Sequence, residues 1–154
     1  MKSIFFSKQI ISLNKYFFLL LLVVFANANA QDIDSLKIIL KNARHDTSRC
    51  TILSAMIQIE PNEELWPKYN DQLKSIAEKN LKKDLKDEKL RKFYLKHLAN
   101  ALNDQAYILT NLGDIQLALE YYHQSLKINE SLNNRAGMSI SFSDLGTIYY
   151  NQGE

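Results

Sequence analysis

The sequence predicts an all-α fold in which antiparallel helix hairpins stack as a truncated solenoid. Three observations carry that prediction. Apolar residues recur at i, i+3, i+4 and i+7 through successive stretches after Asp34, the period of one face of a helix. Helix breakers are scarce, with 4 glycines and only Pro61 and Pro67 in 154 residues. From Ala99 to Glu154 one pattern is written twice, and its second copy stops short.

The first copy reads Leu102, Ala106, Leu109, Gly113-Asp114, Ala118 and Tyr122, and the second reads Phe142, Leu145-Gly146, Tyr149 and Gly153-Glu154. An offset of 40 lays Gly113 on Gly153 and also pairs Asp104 with Asp144, Ile108 with Ile148 and Asn111 with Asn151. A fixed period in this range marks a repeat array. A small residue at Ala106 or Gly146 lets a neighbouring helix approach closely, and Gly113 and Gly153 stand where a first helix ends and reverses.

Phe142-x-x-Leu145-Gly146-x-x-Tyr149, with Ala118-x-x-x-Tyr122 from the other copy, resembles the tetratricopeptide repeat family. The pattern departs from the family at Gln105, where Leu is preferred, at Ser125, where Ala is preferred, and in lacking a Pro after Ile128. Its period is also longer than the usual 34 residues, like the forty-residue variants. The expected organisation is a signal peptide over 1–30, a degenerate helical repeat or cap region over 31–98, one repeat over 99–138, and the first helix of a further repeat over 139–154.

Residues Met1 to Ala30 read as a secretory signal. Lys2, Lys8 and Lys15, with no acid among them, precede the apolar run Phe17 to Phe25, and Ala28-Asn29-Ala30 is a small-x-small cleavage site. That run of nine is short of the roughly 20 residues a bilayer-spanning helix needs, although an uncleaved anchor is the alternative for the same residues. Cleavage after Ala30 would export a chain beginning at Gln31, to the periplasm or the outer side of the inner membrane.

Leu36, Ile39, Leu40 and Ala43 open the helical pattern, and Arg44-His45-Asp46-Thr47 breaks it. Asp46 is an expected N-cap for a helix with Cys50, Leu53 and Ile57 on one face, which Glu60-Pro61-Asn62 ends. A third helix begins near Trp66-Pro67 and turns Tyr69, Leu73, Ile76, Ala77 and Leu81 inward. Leu90, Phe93, Tyr94 and Leu98 run in phase with Leu102 and Leu109, so one long helix is expected from about Asp87 to Leu112. Ile115 to Leu126 makes its antiparallel partner, and Asn133-Asn134 turns the chain into a last helix. That helix is expected to present Phe142, Leu145 and Tyr149 to a further helix, which makes the chain the N-terminal part of a longer protein.

The formal charge of +2 falls to 16 basic against 17 acidic residues once the three leader lysines are removed, leaving no global attraction to nucleic acid. Nine basic and four acidic residues between Lys74 and Lys96 read as a solvated helix face, since Glu78–Lys82, Asp87–Arg91 and Glu88–Lys92 stand at i, i+4 with the acid first.

No catalytic, metal or cofactor set can be assembled. Cys50 is the single cysteine and lies on the Leu53/Ile57 face, as a buried small hydrophobe would. Glu120-x-x-His123 has the spacing of one half of a carboxylate-bridged metal site and no second copy; His45 and His97 have no ligand partner at helical spacing. The Asn129-Glu130-Ser131 sequon follows a helix and reads as chance.

The resemblance implies a concave surface lined by the first helix of each repeat. Carried over by position, it comprises Asn100, Asn103, Tyr107 and Thr110, then Ile140, Ser143, Thr147, Tyr150 and Asn151. Amides and hydroxyls there suit the backbone of an extended peptide, and the absence of Lys and Arg argues against a carboxylate ligand. The occupant is a protein or peptide partner, or another segment of the full-length chain, with membrane contact only through an uncleaved signal or a downstream segment. The expected role is a non-enzymatic, extracytoplasmic interaction module at the sensory front of a bacterial signalling protein. A free periplasmic scaffold is the alternative, and the N-terminal part of an enzyme a further one.

Overall fold

A computed structural model describes residues 32–153, and among these every regular element is a helix. The expected signal peptide over 1–30 lies outside the described residues. The chain divides into two compact units between Ile38 and Ile39. Helical backbone covers 32–42 (α1), and in the described part of the first unit Lys37 Nζ meets Asp34 Oδ1 at 2.9 Å.

The second unit contains α2 (Asp46–Ile59), α3 (Trp66–Leu81), α4 (Glu88–Asn111), α5 (Ile115–Ser131) and α6 (Arg135–Gln152). Each helix packs on the next in the chain, giving the antiparallel hairpins α2–α3 and α4–α5 with α6 laid on the second. Alternate helices α2, α4 and α6 also meet in sequence, whereas no Cα of α3 comes within 8 Å of α5. The layer whose members touch lies on the inside of a curve, so α2, α4 and α6 form the concave layer of this unit. Across the wider spacing, Lys74 on α3 places its ammonium 4.7 Å from the Tyr121 ring centre on α5.

The helix ends follow local chemistry. Asp87 caps α4 by accepting from the Lys89 and Leu90 amides at 2.9 and 3.2 Å, so Arg91 turns to Glu88 at 3.9 Å instead. Glu88 also meets Lys92 at 3.9 Å. Asp114 caps α5 by accepting from the Leu117 amide. Asp46, expected as an N-cap, is instead the first residue of α2; its carboxylate accepts from Asn80 Nδ2 at 2.8 Å, tying the start of α2 to the end of α3. Pro67 sits in the first turn of α3. Gly113 and Gly153, forty positions apart, both adopt φ +83°, and Asn133 reverses the chain after α5 at φ +52°, a conformation Asn tolerates better than most residues.

Two apolar clusters share α4. Cys50 and Leu53 of α2, Leu73 of α3 and Tyr94 and Ala101 of α4 form one, with Leu40, Tyr69 and Ile76 packed around it. Ala106 of α4, Ala118 and Tyr122 of α5 and Leu145 and Ile148 of α6 form the other. The long helix thus serves the α2–α3 cluster with its first half and the α5–α6 cluster with its second. Ile39 departs from its expected face and is 52% exposed.

The packing of α6 differs from expectation at Leu145. Leu145, expected to face a further helix, is buried with Ile148 against α4 and α5, while Phe142 is 56% exposed. Residues 141, 145 and 148 form one stripe at 100° per residue, and Phe142 lies a quarter-turn off it. The close approach falls at Gly137 rather than Gly146. A Cβ at 137 would meet Asn129 Oδ1 and lie 2.5 Å from Asn129 Cγ, whereas Gly146 has nothing within 4 Å. Ala106 is fully buried, as its spacing predicts. Among the described residues, no helix is long and apolar enough to cross a membrane.

Candidate binding groove

On the concave layer a cavity of about 210 Å³ opens between α2, α4 and α6. Ser54, Ile57 and Gln58 wall it from α2, Asn100, Asn103 and Asp104 from α4, and Gly137 and Ile140 from α6. Leu73, Ser125 and Asn129 close its floor from the outer layer. The lining is amide, hydroxyl and carboxylate with two isoleucines at the rim, and no Lys or Arg contributes to it.

A continuous polar chain runs beneath the groove. Asn134 Nδ2 donates to Asn129 Oδ1 at 2.8 Å, Asn129 Nδ2 to Ser125 Oγ at 3.4 Å, and Ser125 Oγ to the Ala99 carbonyl at 2.8 Å. Ser125 and Ser141 hydroxyls stand 3.5 Å apart, Ser141 donates to Asn103 Oδ1 at 3.3 Å, and Asn103 Nδ2 donates to Asp144 Oδ2 at 2.8 Å. Ser125 is 1% exposed, and its hydroxyl, bonded to the Ala99 carbonyl and accepting from Asn129, is a satisfied buried polar group between α4 and α5. Asn129 is 2% exposed, its amide engaged with Ser125 and Asn134.

Asp104 and Asp144, paired by the forty-residue offset, are also electrostatically coupled across α4 and α6. Burial first, and the Asp144 charge second, push the Asp104 carboxyl up to about 6. Behind them the Tyr122 hydroxyl is raised to about 12, chiefly by burial and then by Asp144. The wall of the groove thus carries negative charge with no ion pair to offset it among the described residues.

The nine residues placed on the concave surface by resemblance separate into groups. Asn100, Asn103 and Ile140 line the cavity together. Asn103 accepts from Ser141 and gives one of its two amide hydrogens to Asp144, so it ties α4 to α6 at the groove wall. Thr110 Oγ1 donates to its own helix at Ala106 O, and Thr147 likewise to Ser143 O, each at 2.9 Å. Ser143, Thr147, Tyr150 and Asn151 are exposed outside this cavity, Tyr150 at 81%. Tyr107 lines a different cavity, with Trp66. Ser54, Gln58 and Asp104 were missed. The i, i+4 spacing of Ser54 and Gln58 on α2, and the recurrence of Asp104 at Asp144, are the signals that point to them.

Elsewhere polar groups serve packing. Ser54 Oγ lies 3.0 Å from His97 Nδ1, and burial, then Lys96, lowers the His97 pKa. His123 Nε2 stands 3.4 Å from the Tyr149 hydroxyl. Cys50 is fully buried and its thiol is pushed up to about 11, first by burial, then by Asp46. Among the described residues, no three His, Cys, Asp or Glu side chains gather as a metal site. Comparison with family models, curated proteins and solved structures finds no match to this chain.

Proposed function

We propose that this chain is an exported, non-catalytic interaction module of tetratricopeptide type, whose groove between α2, α4 and α6 holds an extended segment of a protein partner. The observation that carries the reading is the cavity itself. It lies where alternate helices converge, and its lining of amides, hydroxyls and isoleucines matches the backbone and side chains of an extended peptide. Asp104 and Asp144 favour a neutral or basic segment over an acidic one. The forty-residue offset and the shared φ of Gly113 and Gly153 support the repeat assignment.

Panning a library of unstructured peptides against the purified protein tests the groove. Enriched peptides should be neutral or basic, and should lose binding when Asn100→Ala and Ile140→Glu are combined, both positions being exposed. Enrichment indifferent to that pair, or dominated by acidic peptides, overturns the reading. Export and the sensory role rest on the leader-like residues 1–30 and on resemblance. N-terminal sequencing of the cellular protein should begin at Gln31. An apolar segment of roughly 20 residues and an output domain in the same protein would support the sensory role; repeats closed by a polar cap would make it a free scaffold.

A further inference from the structure

We infer that the second cavity, at the Trp66–Tyr107 end of the unit, is a binding site for an alkylammonium cation. It measures about 240 Å³ and is separate from the groove: Trp66 and Pro67 at the start of α3, Tyr107, Ile108 and Asn111 in the last turns of α4, Leu112 and the loop residue Glu63 enclose it. The Trp66 and Tyr107 ring centres stand 6.3 Å apart with planes inclined at 41°, and Tyr107 is 52% exposed, so aromatic surface is accessible at the cavity.

Three independent sources make this cavity attractive to positive charge. Aromatic faces carry negative quadrupole density. Glu63 is among the residues lining the cavity, and it makes no ion pair among the described residues. The C-terminal end of α4, the negative pole of a 24-residue helix, has no basic residue in its last turn. No Lys or Arg lines the cavity to cancel these.

The loop that carries Glu63 is fixed rather than free. Asn62 Oδ1 accepts from the Glu64 amide at 2.8 Å, Glu60 Oε1 accepts from the Asn62 amide at 3.1 Å, and the Asn62 carbonyl takes the Leu65 amide at 3.0 Å. Pro67 then fixes the backbone beside Trp66 at the helix start. Aromatic walls with a single carboxylate suit a weakly hydrated organic cation, whereas an inorganic cation would need several oxygen ligands. The cation can be a small free molecule or a lysine side chain; the chemistry is shared.

Trp66 is the chain's one tryptophan, so its fluorescence reports on this cavity alone. The purified protein is titrated at constant ionic strength with choline, with its uncharged isostere 3,3-dimethylbutan-1-ol, and with N-acetyl-lysine methylamide against the norleucine analogue. A saturable change with choline and none with the isostere supports the site. A response to the lysine amide but not to norleucine extends it to a partner's side chain, and silence there restricts it to free cations. Glu63→Gln and Tyr107→Leu should each weaken choline binding about fivefold, the effect of losing one exposed cation-attracting group. No saturable change, equal response to the isostere, or unchanged affinity in both variants overturns the proposal. The groove reading survives that failure, because Asn100 and Ile140 lie outside this cavity.

Discussion

Replacing Asp104 with Asn should stabilise the protein at neutral pH and leave it unchanged in acid. The Asp104 carboxyl lies against Asp144 on α6, with Tyr122 on α5 and Tyr107 on its own helix as neighbours, and its pKa rises from 3.8 to about 6. Because the folded value exceeds the unfolded one, the native state prefers the protonated acid. The associated stability is present below about pH 4 and is lost as pH rises through 6. A rise of two units at 1.36 kcal/mol each amounts to about 3 kcal/mol lost by pH 7.5. Asn keeps the shape of Asp without the charge, and its amide can donate toward Asp144. Urea denaturation of both proteins at pH 4, 5, 6 and 7.5 isolates the effect, since all other carboxylates titrate in both. Equal stability at pH 7.5, or a gap of the same size at every pH, would refute the coupling.

Further outcomes follow from the packing. Gly137→Ala drives a methyl into Asn129, which Asn134 and Ser125 hold in place, and should cost about 1–3 kcal/mol of stability in thermal unfolding; an unchanged midpoint would show that α6 can shift. Ser125→Ala should destabilise by about 1–2 kcal/mol, because Asn129 loses its buried acceptor. Cys50, fully buried with its thiol raised to about 11, should resist a thiol reagent until the protein is unfolded by urea, whereas rapid labelling of the native protein would contradict its burial.

Helix content and order were legible because apolar spacing at Leu53, Leu73, Tyr94, Leu102 and Tyr122 is strong, and all of these are buried. The boundaries of α4 were legible because Asp87 and Gly113 are local signals that act on adjacent backbone. Leu145 misled because a repeat pattern says which residues share a face, not which face meets a neighbour. The groove was half legible. Asn100 and Ile140 carried over by position, but Asn103 gives the same letter whether it faces a ligand or, as here, bonds Asp144. Ser54 and Gln58 come from a helix 46 and 42 residues before Asn100, a separation that no local period spans.

The hydrogen-bonded seam from Asn134 to Asp144 sets how this array can deform. A greasy contact lets one helix slide along another with little change in energy, but a slip of α6 by one turn would part Asn103 from Asp144 and Ser141, while Ser125 would keep the Ala99 carbonyl within the α4–α5 hairpin. Ratcheting of α6 past the α4–α5 hairpin therefore costs these bonds, and widening the groove for a bulky guest is opposed where Asn103 ties α4 to α6.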